Sequence, residues 1–271
     1  MKLQSVFRNL QQEIKTFTYW CVVLAVLRVL FVCMYSGELE NGFDAEFGKA
    51  FRMGFRISLK TAGTISLLSF VLTCLVSIFK TEEPKKFTVN ATDEGELYSP
   101  SERKAKDSIY LPLTDKVRLG YYGCLLFLFS AMFYARWTYY RVFNSGFNHI
   151  IVEGWQGDRL AIWHTIVSKY HFWDKMGGAL IMASVFFYGL YILTAKFGVV
   201  NLNEYTRKGK LIVGVILLAI LPVFSVYVRF GAAFSEDDAI NWKNAARLHT
   251  NLLNESILDD AQALYRVWKT R

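Results

Sequence analysis

The sequence predicts an all-α fold, a polytopic membrane bundle of five transmembrane helices with external interfacial helices and a C-terminal helical linker. Two observations carry that prediction. Apolar residues make up 53% of the 271 residues and aromatics 16%, and mean hydropathy is positive at +0.24. Five runs are long and apolar enough to cross a bilayer, which takes about 20 mostly apolar residues: 16–35, 61–79, 119–143, 176–199 and 211–228. Charged residues, 20% of the chain, fall mostly in blocks between those runs. That pattern excludes a soluble globular enzyme. The formal charge of +8 reads as topology signal and headgroup contact, not nucleic-acid binding, because the cations sit beside apolar runs.

Residues 1–15 are polar, with Lys2, Arg8 and Lys15 against one acid, Glu13. This cationic bias, with those of the 80–118 connector and of Arg207, Lys208 and Lys210, places the N-terminus in the cytoplasm. Five crossings then put the C-terminus outside the cell membrane. Between the first two spans, Phe43, Phe47, Phe51, Phe55 and Leu59 recur every fourth residue, and Lys49, Arg52, Arg56 and Lys60 oppose them. That spacing predicts an interfacial helix lying along the outer leaflet and turning into the second span near residues 61–63.

The 80–118 connector is polar and turn-rich, and reads as largely unstructured. Its Asn90-Ala91-Thr92 is a glycosylation sequon on the side assigned to the cytoplasm. After the third span, Leu160, Trp163, Ile166, Val167 and Tyr170 share a helical face behind Asp158, a fair N-cap. Pro222 lies inside the fifth span and predicts a kink. From Asp238 onward Ile240, Ala245, Leu248, Leu252, Leu253, Ile257, Leu264 and Val267 read as an amphipathic helix. Residues 1–228 thus form the transmembrane domain and 229–271 an external linker.

Candidate chemistry is sparse. Cys21, Cys33, Cys74 and Cys124 lie in apolar runs without CxxC spacing. His149, His164, His171 and His249 share no ligand spacing. HExxH, GxSxG and phosphate-loop motifs are absent, so no metal or catalytic residue is assigned. The pairs Asp237-Asp238 and Asp259-Asp260 read as helix starts and solvated faces. Arg28 and Arg136 stand apart, because a guanidinium inside an apolar run is costly and marks function. Each lies about seven residues, or roughly 10 Å, below the outer end of its span. Together with Arg56 and Arg141 they are candidates to bind the phosphate of a lipid, as arginine's fork of donors suits that group. Anionic membrane phospholipids are the partner this implies.

Three stretches carry a likeness: "FRMGFRISLKTAG" at 51–63, "FNHIIVEGWQGDRLAIWHTIVSKYHF" at 147–172 and "RFGAAFSEDDAINWKNAARLHTNLLNESILDDAQALYR" at 229–266. The chain resembles the membrane-embedded N-terminal part of lipoteichoic acid synthase-like proteins of the sulfatase superfamily. The resemblance implies an external catalytic domain with a threonine nucleophile and a divalent metal, typically manganese. It would move a phosphoglycerol or similar phospho-group from a membrane phospholipid. Where family members often carry an acid, this chain has Ser58. A standalone transporter or channel subunit, and a purely structural anchor, stay open at this point.

Overall fold

The computed structural model describes residues 3–38, 46–79, 111–197, 199, 206–235, 238–241, 243, 245 and 248–269. Phe43, the sequon at Asn90 and Asp237 lie outside the described residues. The fold is all-α, with no strand among the described residues. Among the described residues five helices are long and apolar enough to cross a membrane: α1 (Leu3–Met34), α2 (Phe47–Phe79), α3 (Leu113–Phe143), α6 (Phe172–Lys196) and α7 (Arg207–Arg229). Short helices α4 (Ile150–Gln156) and α5 (Arg159–Lys169) link α3 to α6, and α8 (Asn251–Ile257) and α9 (Asp260–Lys269) form the tail.

The long helices outrun the apolar segments seen in the sequence, and each excess has a cause. The polar turns at the start of α1 are helical because Asn9, Gln12, Glu13 and Thr16 fall on the face that continues as Trp20, Leu24, Leu27 and Phe31. All eight are buried. Val22 and Val26 on the other face are exposed, as lipid-facing side chains are. Helix α3 starts at Leu113, inside the connector read as unstructured, so Arg118 is a buried helical residue and not a loop cation. Helix α2 shows no turn at residues 61–63, and its 33 residues are continuous. Gly63 instead lets α7 approach: a Cβ there would lie 2.3 Å from Val228 Cγ1. The phenylalanine stripe from Phe47 onward is therefore part of the same helix as the second span. Phe47 stacks with Phe51 at 6.2 Å and packs on the core, while Phe55 is exposed.

Helices α1, α2 and α3 form the centre, α6 packs along α3 and α1, and α7 sits at the edge against α2. Apolar burial between helices gives little in lipid, so close van der Waals contact and polar contacts must hold them. Gly189 of α6 accordingly lies under Tyr19, whose hydroxyl donates to the Phe186 carbonyl at 2.5 Å. Trp20 meets Phe129 edge to face at 5.1 Å and Tyr122 at 6.1 Å at the centre. Pro222 is accommodated within α7. Asp158 caps α5 as its position predicts, accepting from the N–H groups of Leu160 and Ala161, both at 3.1 Å.

The sequence reads one amphipathic helix from Asp238 onward; among the described residues the helix starts at Asn251, because described residues before it find other partners for their backbone. Arg56 donates to the Asp238 carbonyl at 2.8 Å, Lys60 donates to the Ile240 carbonyl, and Asn254 holds both the N–H and the C=O of Leu248. The tail folds back over one end of the bundle, where α8 packs on α1 and α2, and α9 on α2 and α3. Leu252, Leu253, Ile257, Leu258, Ala263 and Val267 are buried there.

Candidate functional site

The tail-side end of the bundle is organised around Arg28 of α1 and Arg136 of α3, both buried. The backbone carbonyls at the end of a helix have no partner within it, and α8 ends between these two guanidiniums. Arg28 Nε donates to the Ser256 carbonyl at 2.9 Å and Nη2 to the Ile257 carbonyl at 3.3 Å. Arg136 Nη1 donates to the Leu258 carbonyl at 2.8 Å, and Nη2 donates to the Glu255 carbonyl. Four consecutive carbonyls are thus taken by two cations, and positive charge at a helix C-terminus is the favourable sign.

The same cations are anchored from the bundle. Arg28 Nη2 also donates to the Gly54 carbonyl and to Ser58 Oγ, both at 2.7 Å. Arg136 lies over the Phe31 ring at 4.5 Å and pairs with Asp260 Oδ1 at 3.0 Å. Asp259 accepts from Thr61 Oγ1 at 2.7 Å and caps the start of α9 through the Gln262 N–H at 2.9 Å. The Asp259-Asp260 pair is therefore a helix start, as expected, but it is buried and not solvated. Burial pushes both carboxyls above the ordinary carboxylate range, against the pull of Arg28 and Arg136. Two arginines and two aspartates bring the formal charge of the cluster to zero.

Gly54 is required by this arrangement. A Cβ there would lie 2.4 Å from Arg28 Cζ and Nε. Gly54→Ala is expected to lift the guanidinium off α2 and to destabilise tail docking by about 1–3 kcal/mol, the cost of unmade buried hydrogen bonds. Faster amide exchange in 251–269 of the detergent-solubilised protein checks it, and unchanged exchange refutes it.

Of the four arginines assigned to lipid phosphate from the sequence, the structure brings Arg28 and Arg136 together and fills them with the tail. Their shared cavity is about 10 Å³, room for one water and not for a phosphate. Arg56 lies elsewhere, donating to the Gly231 carbonyl at 2.7 Å as well as to Asp238. Arg141 is exposed on the last turn of α3. No group of three His, Cys, Asp or Glu among the described residues could hold a metal ion.

Sequence reasoning missed a second buried charge cluster, nearer the N-terminal end of α1. Arg118 Nε donates to Glu13 Oε1 at 2.7 Å, and Arg118 also pairs with Asp115. Asp115 takes a further hydrogen bond from Arg8 at 2.6 Å. Glu13 accepts from Ser69 Oγ at 2.8 Å and from the Tyr122 hydroxyl at 2.7 Å. The available signal was periodic: Asn9, Glu13 and Thr16 on α1, and Ser66, Ser69, Thr73 and Ser77 on α2, recur at helical spacing. Comparison of the chain with known proteins found no matching family model, no matching curated protein and no matching solved structure.

Proposed function

We propose that this chain is the membrane anchor and lipid-donor-binding domain of an extracytoplasmic, metal-dependent phospho-group transferase of the lipoteichoic acid synthase-like kind. The observation that carries the anchoring role is the docked tail. Arg28 and Arg136 fix α8 and α9 to the bundle through buried bonds, which supports a tail held in one position on the bundle. A catalytic domain in the longer natural chain, holding its own divalent metal such as manganese, would then be presented to the headgroup layer at a set height. Positioning of this kind raises the effective concentration of a membrane-bound donor at the reacting groups. The tail side is extracytoplasmic in this reading, and the N-terminus cytoplasmic.

Sidedness and transfer together test it. In cells expressing the natural protein without its native cysteines, Ser235→Cys is expected to react with a membrane-impermeant maleimide, whereas Gln11→Cys is not. Membranes from the same cells are expected to transfer phosphoglycerol from phosphatidylglycerol in a manganese-dependent way. Labelling at residue 11 alone, or transfer indifferent to chelation, would overturn the proposal.

A further inference from the structure

The basic side of α2 does two separate things. Its lower cations, Arg56 and Lys60, hold the backbone of the segment after α7 through the carbonyls of Gly231, Asp238 and Ile240. Gly231 makes the bend at φ 65°, and a Cβ there would lie 2.7 Å from the Arg56 carbonyl oxygen. One turn further from the span, Arg52 is exposed and has no hydrogen-bond or ion-pair partner among the described residues. Between α2 and residues 232–235 and 238 lies an open groove of about 600 Å³, lined by Arg52, Arg56, Phe234, Ser235, Asp238 and two alanines. That volume is within the usual range for a small-molecule site, roughly 300–1,000 Å³.

Position and charge point to an amphiphile. The groove begins immediately beyond Arg229, the last residue of a helix apolar enough to span, which is where headgroups lie. Phe234, 67% exposed, stands at its edge, with Phe55 exposed on α2. Among the described residues that line it, Arg52 and Arg56 meet one acid, Asp238, whose carboxylate accepts from Ser235 Oγ at 3.0 Å. Lys60 adds a cation beside Arg56 and Arg229, and Glu236 and Asp237 lie outside the described residues. Arg56 commits two of its five N–H donors to the backbone and keeps the rest.

We infer that this groove, and not the Arg28–Arg136 pair, is the headgroup site for an anionic diacyl phospholipid, with the phosphate between Arg52 and Arg56 and the glycerol region against Phe234. The inference rests on the lipid-binding part of the proposed function. A free phosphate would satisfy the arginines equally, but it has no use for an exposed phenylalanine at the membrane boundary.

The test reconstitutes the protein in bilayers of mixed phosphatidylglycerol and phosphatidylcholine, strips bulk lipid with mild detergent and quantifies retained lipid by mass spectrometry. Wild type is expected to retain phosphatidylglycerol preferentially, and inorganic phosphate is expected not to displace it. Arg52→Gln is expected to lower that retention roughly tenfold, the effect of one charge-assisted contact. Arg52→Lys should recover part of it, and Phe234→Ser should weaken retention of both lipids. Arg52 makes no hydrogen bond or ion pair among the described residues, so an unchanged unfolding midpoint is expected to accompany the loss. Equal retention by Arg52→Gln and wild type overturns the inference, as does full displacement by inorganic phosphate. Loss of retention with manganese-dependent transfer intact would move the donor elsewhere and leave the proposed function standing. Preferential retention without any transfer would sink that function and leave the groove.

Discussion

Arg28→Ala is expected to release the tail while the five long helices stay assembled. The guanidinium is buried and bonded to the carbonyls of Gly54, Ser256 and Ile257 and to Ser58 Oγ. Its removal leaves those acceptors without donors in a site that water reaches poorly. It also leaves the two aspartates of the cluster facing a single cation, Arg136. Breaking a buried ionic cluster on one side costs on the order of 3–5 kcal/mol. Docking of α8 and α9 carries most of that loss, because three of the four bonds from Arg28 reach either the tail or the Gly54 carbonyl that seats it. Amide exchange across 251–269 should accelerate by roughly a hundredfold or more, with exchange in α3 and α6 little changed. Arg28→Lys is expected to fail as well, since an ammonium cannot span acceptors on two helices as a planar fork does. Arg141→Ala, at an exposed position, is the matched control. Tail protection equal to wild type in Arg28→Ala would mean that the docking seen here does not hold the tail.

How far the sequence revealed this arrangement differs between its parts. The five spans were legible because apolar length is a property of each segment alone. So was the cap at Asp158, which needs only the N–H groups two and three residues on. The importance of Arg28 and Arg136 was legible because a guanidinium in an apolar run is conspicuous. Their occupant was not. The Arg28 partners Ser256 and Ile257 lie more than 200 residues away, and backbone carbonyls leave no mark in a sequence. The same physics hid the non-helical backbone at Asp238 and Ile240, where Arg56 and Lys60 supply hydrogen bonds that a helix would otherwise have made internally. Local periodicity predicted the helix, and distant donors removed the need for it. Asp259 and Asp260 looked solvated for a related reason: a pair of acids is expensive to bury until two arginines from other helices are placed beside them.

Arg118 makes the opposite case, a residue whose sequence context pointed away from its role. It follows a charged connector, and cations there are read as topology markers. Once α3 starts at Leu113, Arg118 lies one turn along the helix from Asp115 and faces Glu13 of α1 across the bundle. Two arginines and two acids, Arg8, Arg118, Glu13 and Asp115, then form a second cluster of zero formal charge. The two clusters are not equivalent. The one at Arg28 joins the bundle to its tail, and the one at Arg118 joins α1, α2 and α3 to each other through Glu13, Ser69 and Tyr122. Arg118→Ala is therefore expected to lower the stability of the whole bundle by about 3–5 kcal/mol, read as a fall in the unfolding midpoint of the detergent-solubilised protein. It strands Glu13 with only hydroxyl donors. Glu13→Gln should cost less, because Arg118 keeps Asp115. The double variant should fall short of the sum, by roughly 1–3 kcal/mol of coupling, as for residues sharing one network. Additive losses would mean that Arg118 and Glu13 act independently. An Arg118→Ala protein that melts like wild type, or that loses only tail protection, would show that the core of this bundle is held by packing alone.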